Sequence, residues 1–383
     1  MRFEFATATR IIFGSGTIVE AGALAKNYGG DVLVVTGTSR RSDKLLGILT
    51  KEGIRSETFR VASEPTLDLV REGVELARRE GCRVVMAFGG GSVIDAGKAI
   101  AGMLPNPGDL LDYVEVVGAG KALPRHSEPF VAIPTTAGTG SEVTRNAVLA
   151  STKHRVKVSL RSASMLPKTA IIDPELTHDL PPGLTAATGL DALTQLIEPY
   201  VCARPNPMTD ALCLEGMRRA ARSLRRAVRD GHDASAREDM AVAALFSGMA
   251  LANAGLGAVH GFAGPIGGMF PAPHGAICAA LLPHVMAVNI EAMSRNTDNA
   301  AGLERFEKVA RVLSDNSRAS IQEGVNWVRS LVEDLGIPKL GSYGILPEHI
   351  PGIVEKAARA SSMKANPVSL SADELSGALR QAL

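Results

Sequence analysis

The stretch VVMAFGGGSVIDAGKAIAGM, residues 84–103, decides the fold expected for this chain. An apolar run leads into three consecutive glycines, and small and apolar residues follow at helical spacing, which predicts a buried strand, a tight turn and a helix. The glycines let the backbone approach a bound group closely, and a helix beginning at Ser92 would offer free N–H groups to an anion. The stretch therefore predicts a phosphate or pyrophosphate site, with a simple tight turn as the alternative.

The glycine turn matches neither of two common nucleotide-binding motifs. Five residues separate Gly91 from Gly97, and Ala99 follows Lys98, so it is not a Walker loop, and the glycines fit GxGxxG poorly. A second segment, PTTAGTGSEVTRNAV (134–148), strengthens the phosphate hypothesis, because it crowds hydroxyls around two glycines with no hydrophobic period. Such a loop is typical of contact with a polar group such as ribose or phosphate. A capped loop before a strand is the other interpretation.

The surrounding segments predict an α/β half followed by a helical half. Apolar runs predict strands over 32–36, 84–88, 130–133 and 170–173, and amphipathic spacing predicts helices over 43–52 and 66–80, the second capped by Thr66. After Pro181 and Pro182 the strand signal ends, and Ala- and Leu-rich segments continue to the end of the chain. We therefore expect an α/β domain over 1–175 and an all-helical domain over 176–383.

Charge and hydropathy argue against several kinds of partner. With 41 basic and 40 acidic residues the formal charge is +1, which does not suit a polyanionic partner. A basic run lacks interleaved aromatic residues and precedes acidic ones, so a solvated helix face explains it better than nucleic acid does; its members are Arg218, Arg219, Arg222, Arg225, Arg226 and Arg229. The sequence has no apolar run of about 18 residues, so we expect no membrane partner. Its four cysteines are scattered, which suits a cytoplasmic protein.

Four residues of the second half have the character of metal ligands. Asp191 and Gln195 stand at i and i+4 in GLDALTQLIEPYV, so both project from one helix face. His260 and His274 bracket the glycine-rich stretch HGFAGPIGGMFPAPH. Carboxylate oxygen and imidazole nitrogen suit zinc or ferrous iron, whereas the Gln195 amide is a weaker ligand. The alternative is that each histidine is an ordinary hydrogen-bonded side chain.

Taken in order, these motifs resemble the iron-containing, group III alcohol dehydrogenase family. The resemblance spans nearly the whole chain and is carried by FGGGSVIDAGKAIA (88–101), AIPTTAGTGSEVT (132–144), AIIDPELT (170–177), GLDALTQLIEPYV (189–201), VHGFAGPIGGMFPAPHG (259–275), LLPHVM (281–286) and SSMKANP (361–367). It implies an amino-terminal dinucleotide-binding domain and a helical metal- and substrate-binding domain, as in the dehydroquinate synthase-like architecture. It also implies reversible hydride transfer between NAD(P)H and the carbonyl of a small molecule.

The resemblance assigns roles to individual positions. Asp191, His260 and His274 match three metal ligands, and the metal would polarise the substrate oxygen during catalysis. Thr135, Thr136 and Thr139 would line the adenosine side of the cofactor. The pyrophosphate and its neighbourhood would be bound by Gly90, Gly91, Ser92, Asp95 and Lys98, and Lys157 would approach the ribose.

Two positions depart from the family pattern, and they keep other interpretations open. Gln195 stands where the family usually has a histidine ligand, and Gly264 stands where many members have a histidine that relays a proton. The opening MRFEFATATRIIFGSG is similar to that of maleylacetate reductases, which work without metal, although these usually carry Asn at the position of Asp191. A lyase of the dehydroquinate synthase type and a nucleotide-binding protein without catalysis are further alternatives.

The loop after the first predicted strand bears on the choice of cofactor. Many NAD-using members place an aspartate here, which would repel a 2′-phosphate. This chain offers hydroxyl and guanidinium donors instead, in Gly37, Thr38, Ser39, Arg40 and Arg41. We therefore expect NADP ahead of NAD, with Fe²⁺ or Zn²⁺ as the metal. A homodimer is the expected assembly, because two-fold dimers are the commonest symmetric oligomers.

Overall fold

The computed structural model describes residues 2–154, 156–295 and 297–383. The chain divides into two compact units. The α/β unit comprises Thr7–Thr136 and Gly140–Thr177, and the helical unit comprises the residues up to Ala6, Ala137–Thr139 and His178–Leu383.

The α/β unit is built on one parallel sheet. Its strands are β1 (Arg10–Phe13), β2 (Val32–Thr36), β3 (Ser56–Arg60), β4 (Val84–Gly89), β5 (Phe130–Pro134) and β8 (Thr169–Ile172), in the order β1-β8-β5-β4-β2-β3. A separate antiparallel hairpin pairs β6 (Asn146–Ser151) with β7 (Val156–Arg161). Its helices are α1 (Ala21–Tyr28), α2 (Asp43–Lys51), α3 (Leu67–Arg79), α4 (Gly91–Met103) and α5 (Leu110–Tyr113). Every residue of β2, β4 and β5 is buried, as expected for parallel strands covered on both faces.

The structure confirms the predicted fold class and the four predicted strands to within a residue. It also confirms the two predicted helices, and the Thr66 hydroxyl caps α3 by accepting the Leu69 N–H. Four strands were not predicted: β1, β3, β6 and β7. In β3, SETFR is only half-buried because it lies at the edge of the sheet, so it lacks the apolar run that identifies the central strands.

The strand order creates a switch point between β2 and β4. From β2 the chain moves outward to β3 and then returns to the other side of β2, where Thr36 pairs with Phe88 of β4. Ligands of open parallel sheets bind outside the carboxyl ends of the strands at such a point. The loop beginning at Gly37 and the turn around Gly90 both leave the sheet there, so the topology puts the two sequence motifs side by side.

The helical unit has no strand among its described residues, as predicted. Its helices are α6 (Pro182–Val201), α7 (Pro207–Arg229), α8 (Ala234–Asn253), α9 (Ala258–Met269), α10 (His274–Ser294), α11 (Ala300–Ser314), α12 (Ile321–Asp334), α13 (Ile350–Ala358) and α14 (Ala372–Gln381). One continuous apolar core joins them. Within it α6 is almost wholly buried from Gly189 to Val201, so polar side chains on that segment require partners or ligands.

Helix α10 is long and apolar enough to cross a membrane, and α8 with α9 would pass the same test as one span bent by 96°. Two-thirds of the most apolar 18-residue window of α10 is buried inside the protein, which is the pattern of a core helix. The basic run on α7 forms ion pairs: Arg219 and Arg222 contact Asp239, and Arg226 contacts Asp233.

Candidate functional site

Four potential metal ligands converge inside the helical unit. Asp191 lies on α6, His260 in the first turn of α9, His274 at the start of α10, and Cys278 one turn further along α10. One ligand atom from each lies within 4.8 Å of the others. The structure therefore brings together three of the four residues that the sequence identified, Asp191, His260 and His274, and adds Cys278.

The distances among these atoms fit ligands around one ion. Asp191 Oδ1 is 3.5 Å from His260 Nε2 and 3.7 Å from His274 Nε2. Both exceed the length of an ordinary hydrogen bond. Two ligand atoms about 2.05 Å from a tetrahedral ion stand roughly 3.4 Å apart. The observed separations are close to that spacing, so a single ion can reach all three residues with little rearrangement.

Two buried oxygens in this region support a cation site. Asp191 Oδ1 and Gln195 Oε1 are fully buried, and neither has a hydrogen-bond donor among the described residues. Buried acceptors without a donor are rare and costly in folded proteins, and a bound cation would satisfy the Asp191 oxygen. Carboxylate, imidazole and thiolate are ligands of zinc and iron. The residues present therefore fit a divalent metal.

Glu198 orients one of the histidines. It follows Asp191 by two turns of α6, and its Oε2 lies 2.6 Å from His260 Nδ1. A carboxylate on Nδ1 holds the proton there and leaves the Nε2 lone pair free, which is the usual arrangement behind a metal-binding histidine. Nε2 is the ring nitrogen that faces Asp191 and Cys278.

The same carboxylate fixes the start of α9. Glu198 Oε1 accepts the Val259 N–H at 2.7 Å, and Asn366 Oδ1 accepts the Ala258 N–H at 3.0 Å. Both satisfy helix-end donors that have no intrahelical partner. A Cβ at Gly257 would approach Glu198 Oε1 to 2.8 Å and Asn366 Oδ1 to 2.9 Å. Glycine therefore permits the close approach that holds His260 in place.

The electrostatics of the cluster favour positive charge. Burial alone would raise the pKa of Asp191, but His274, His260 and the Gln195 amide outweigh it and lower that pKa. Burial would lower the pKa of His260, yet Cys278, Glu198 and Asp191 raise it well above its usual value. Cys278 is also the largest influence that raises the pKa of His274. A cation placed in the cluster would be stabilised by the same electrostatic interactions that raise the pKa values of the two histidines.

Sequence reasoning missed Cys278 and Glu198. Cys278 follows His274 by four residues, so the i, i+4 spacing that linked Asp191 to Gln195 could have identified it. Glu198 continues the same face of α6 one turn beyond Gln195. Its contact with His260 depends on how α6 packs against α9, which the sequence does not reveal.

The glycine turn in the α/β unit forms the predicted strand, turn and helix. Gly90 precedes the first turn of α4, and no side chain occupies the free N–H groups there. A Cβ at Gly90 would lie 3.3 Å from Thr136 Cγ2, so the two loops approach each other closely. Backbone donors at Gly91 and Ser92 are therefore exposed to an anion beside a threonine-bearing loop.

Protein oxygens surround the Lys98 ammonium in this structure. Its side chain is fully buried, and Nζ donates to oxygens of Ser141, Thr144 and Asn146 at 2.7–3.0 Å. Because an ammonium has three donors, these oxygens saturate it. Asp95 accepts from the Ser141 hydroxyl and from the Val148 N–H. In this structure the two charged residues hold the loop after β5 onto α4.

The remaining predicted cofactor residues lie in loops and on the hairpin. Thr135 is buried, and its N–H donates to Gly89 O at 2.9 Å, whereas Thr136 and Thr139 are partly exposed. Thr139 belongs to the helical unit and the other two threonines to the α/β unit. Lys157 on β7 pairs with Glu64 at 2.6 Å.

The loop after β2 keeps one guanidinium in solvent. Arg40 is 92% exposed and pairs with Asp43, while Arg41 donates to the Leu176 carbonyl. Ser39 begins the short helical turn that holds both arginines, and its hydroxyl does not cap that turn. Arg60 donates to the Gly37 carbonyl at 3.0 Å and so fixes the start of the loop.

A cavity of about 560 Å³ also lies in the helical unit, but its lining does not include the metal-ligand cluster. Arg305 is one of its charged lining residues. It donates to the Tyr200 carbonyl, pairs with Asp210, and stacks 4.1 Å from the Tyr200 ring centroid. Its guanidinium is thus used to join helices.

Comparison with known proteins identifies the family. The sequence model of "Iron-containing alcohol dehydrogenase" matches residues 8–174, and that of the family's C-terminal region matches residues 185–383. This chain belongs to the iron-containing alcohol dehydrogenase family. It is an oxidoreductase that interconverts an alcohol and a carbonyl compound by hydride transfer with a nicotinamide cofactor, and the cluster described above would hold a divalent metal that supplies Lewis acidity to the substrate oxygen.

Individual relatives match over nearly their whole length. The chain is 36% identical to a 1,3-propanediol dehydrogenase of Citrobacter freundii, covering 99% of this chain and 98% of the relative. It is 32% identical to an NAD-dependent methanol dehydrogenase of Bacillus methanolicus, covering 97% of this chain and 97% of the relative. A solved structure of a 1,3-propanediol oxidoreductase superposes with a TM-score of 0.93 at 35% identity, covering all of both chains.

Proposed function

We propose that Asp191, His260 and His274 hold the catalytic metal of this enzyme and that its substrates are small primary alcohols and their aldehydes. The observation that carries the proposal is the convergence of these ligands around a buried Asp191 oxygen that has no hydrogen-bond donor among the described residues. A bound divalent metal supplies Lewis acidity to the substrate oxygen, which stabilises the developing alkoxide. The relatives named for 1,3-propanediol and methanol support small alcohols as the substrate class.

The protein residues have separate tasks in this mechanism. Asp191 brings one negative charge to the site, and the two histidines bring neutral nitrogen ligands. Glu198 keeps the proton on His260 Nδ1, so that Nε2 stays available as a ligand. All of these residues lie on buried helices, which fixes their positions before substrate binds.

For the cofactor, we propose that the N–H groups around Gly90, Gly91 and Ser92 bind the pyrophosphate. The first turn of α4 offers these donors at the switch point of the sheet. Thr135, Thr136 and Thr139 would supply hydroxyls on the adenosine side, and Lys157 would approach the ribose. Asp95 and Lys98 would act by holding the loop that carries these threonines.

We further propose that the enzyme accepts NADP, although its methanol-oxidising relative is named for NAD. The support lies in the loop from Gly37 to Arg40, where hydroxyl and guanidinium groups follow β2 and no carboxylate precedes Asp43. An exposed guanidinium can bind a 2′-phosphate through paired hydrogen bonds.

Substitution of Arg40 tests the choice of cofactor. Arg40→Ala should lower kcat/KM for NADPH about tenfold, because a charge-assisted contact to the 2′-phosphate contributes about 1.5–3 kcal/mol. The same substitution should leave kcat/KM for NADH within about twofold of the wild type. Arg10→Ala, at another exposed ion pair, is the control. An equal loss with both cofactors would contradict the proposed role of Arg40.

The proposal also includes a homodimer working in the cytoplasm. Two-fold dimers are the commonest symmetric assemblies, and four cysteines that are all free suit a reducing compartment.

The reaction itself is tested by steady-state assays with NADH and NADPH against a panel of small aldehydes. Net oxidation of the nucleotide with stoichiometric alcohol formation is the expected result. Tight binding of nucleotide without net consumption would favour a lyase of the dehydroquinate synthase type. Binding with no turnover of any substrate would contradict the proposed function.

A further inference from the structure

The thiol of Cys278 is placed as a ligand. It is buried, it lies one helical turn after His274, and its Sγ is 3.7 Å from His274 Nε2 and 3.8 Å from His260 Nε2. Both histidines face it with the nitrogen that also faces Asp191. Its sulfur therefore approaches two other ligands of the cluster at nearly equal distances.

These distances agree with a shared tetrahedral ion. A sulfur about 2.3 Å and a nitrogen about 2.05 Å from one zinc ion stand roughly 3.6 Å apart when the angle at the metal is tetrahedral. The two observed S···N separations exceed that value by 0.2 Å or less. The sulfur and Asp191 Oδ1 also lie within 4.8 Å of each other.

The structure gives Gln195 a different relation to the cluster. Its amide interacts with the Asp191 carboxylate and helps to lower the pKa of that group. A neutral amide oxygen is also a weaker ligand than a thiolate for zinc or iron. Gln195 is thus better suited to hold Asp191 in position than to bind the metal itself.

We infer that the Cys278 thiolate is the fourth protein ligand of the metal, and that Asp191, His260, His274 and Cys278 form a site that prefers zinc to ferrous iron. The substrate oxygen would then take a fifth position, since a catalytic zinc site can expand to five ligands. The inference rests on the proposed metal site. The thiol releases its proton to solvent when the ion binds, and the two anionic ligands then offset both positive charges of the ion. A soft thiolate ligand favours zinc over ferrous iron. Ferrous iron also binds more weakly than zinc in the general affinity order of divalent metals.

Cobalt provides a spectroscopic test that does not depend on activity. Metal-free full-length protein is titrated with Co²⁺, and a thiolate ligand produces an intense near-ultraviolet charge-transfer band. One Co²⁺ per chain with this band is expected for the wild type. Cys278→Ser should lose the band, whereas Cys213→Ser, at another buried cysteine of the helical unit, should keep it. Gln195→Ala should also retain it.

Each of the other outcomes of the cobalt titration contradicts a specific part of the proposal. Stoichiometric cobalt without a thiolate band, or a band that persists in Cys278→Ser, overturns the ligand assignment and leaves the proposed metal site intact. Absence of metal binding overturns both. If Cys278→Ser does not fold, X-ray absorption of zinc-loaded wild type decides the question, since one sulfur at about 2.3 Å is expected and none would refute the inference.

Competition between metals tests the preference. Metal-free protein is incubated anaerobically with equal Zn²⁺ and Fe²⁺, and the bound metals are measured. Wild type should retain at least tenfold more zinc than iron, and Cys278→Ser should narrow that ratio. An equal or iron-dominated content in the wild type would overturn the preference for zinc.

Discussion

A buried polar cluster in the α/β unit and another in the helical unit differ in how fully their atoms are paired. In the α/β unit, Lys98 donates to oxygens of three residues and Asp95 accepts two hydrogen bonds. In the helical unit, Asp191 Oδ1 and Gln195 Oε1 have no donor among the described residues. A buried charge that is fully paired maintains structure, whereas one left without a donor indicates a bound ion.

Asp191→Asn provides the largest expected effect and tests the unpaired cluster. Loss of the anionic ligand should lower kcat/KM at least about 1000-fold, since metal polarisation supplies several kcal/mol to the transition state. The metal-free variant should keep its Tm within about 3 °C of metal-free wild type, a difference near 1 kcal/mol. Activity assays and calorimetry measure both. A folded variant with wild-type rates would remove Asp191 from the mechanism.

Lys98→Met tests the paired cluster, where the expected loss is in stability. Removing one member of a buried charged network should cost about 3–5 kcal/mol of unfolding free energy in urea, because Asp95 is left uncompensated. Lys121→Met, at an exposed pair with Asp112, should change little. Wild-type stability combined with lost cofactor affinity would show instead that Lys98 contacts the cofactor directly.

Glu142 extends the paired cluster and makes it sensitive to pH. Burial raises its pKa from the ordinary 4.5 to about 7, although its own backbone and Lys98 act in the opposite direction. Since the folded state holds this proton more tightly, the contribution of Glu142 to stability is fully present below pH 4.5 and is lost as pH rises through about 7. The expected slope is on the order of 1 kcal/mol per pH unit.

Glu142→Gln should remove that slope. Urea unfolding at several pH values between about 4.5 and 8 measures the unfolding free energy of both proteins across this range. The same pH dependence in both proteins would mean that Glu142 does not titrate in this interval.

Glu198→Gln has the smallest expected effect and separates orientation from ligation. It leaves the ligands in place but weakens the hydrogen bond to His260, so zinc affinity should fall about 10–100-fold. A competing chelator measures the affinity, with Glu215→Gln on α7 as the control. Unchanged affinity would mean that the contact only fixes the start of α9.

The central strands could be predicted from sequence because burial on both faces makes them continuous apolar runs. The edge strand β3 and the hairpin of β6 and β7 could not, since their half-exposed residues show no such run. The helical half was predicted from the loss of the strand signal after Pro181, but the packing of its helices was not.

The metal cluster was predictable only in part. The spacing of Asp191 and Gln195 placed them on one face of a helix, but the meeting of α6 with α9 and α10 that adds Glu198 and Cys278 is a tertiary contact. Sequence alone also could not show the surroundings of Lys98. A motif match associated it with the pyrophosphate, which stays a prediction, and the folded chain surrounds its ammonium with oxygens of the neighbouring loop.

Elemental analysis of protein purified without chelator, with aldehyde reduction assayed before and after metal removal, tests the central claim most directly. We predict about one divalent metal ion per chain, as a single four-ligand site requires. Activity should disappear on removal of the metal and return with added Zn²⁺ or Fe²⁺. Protein that contains no stoichiometric metal and keeps full activity in the presence of a strong chelator would contradict the account.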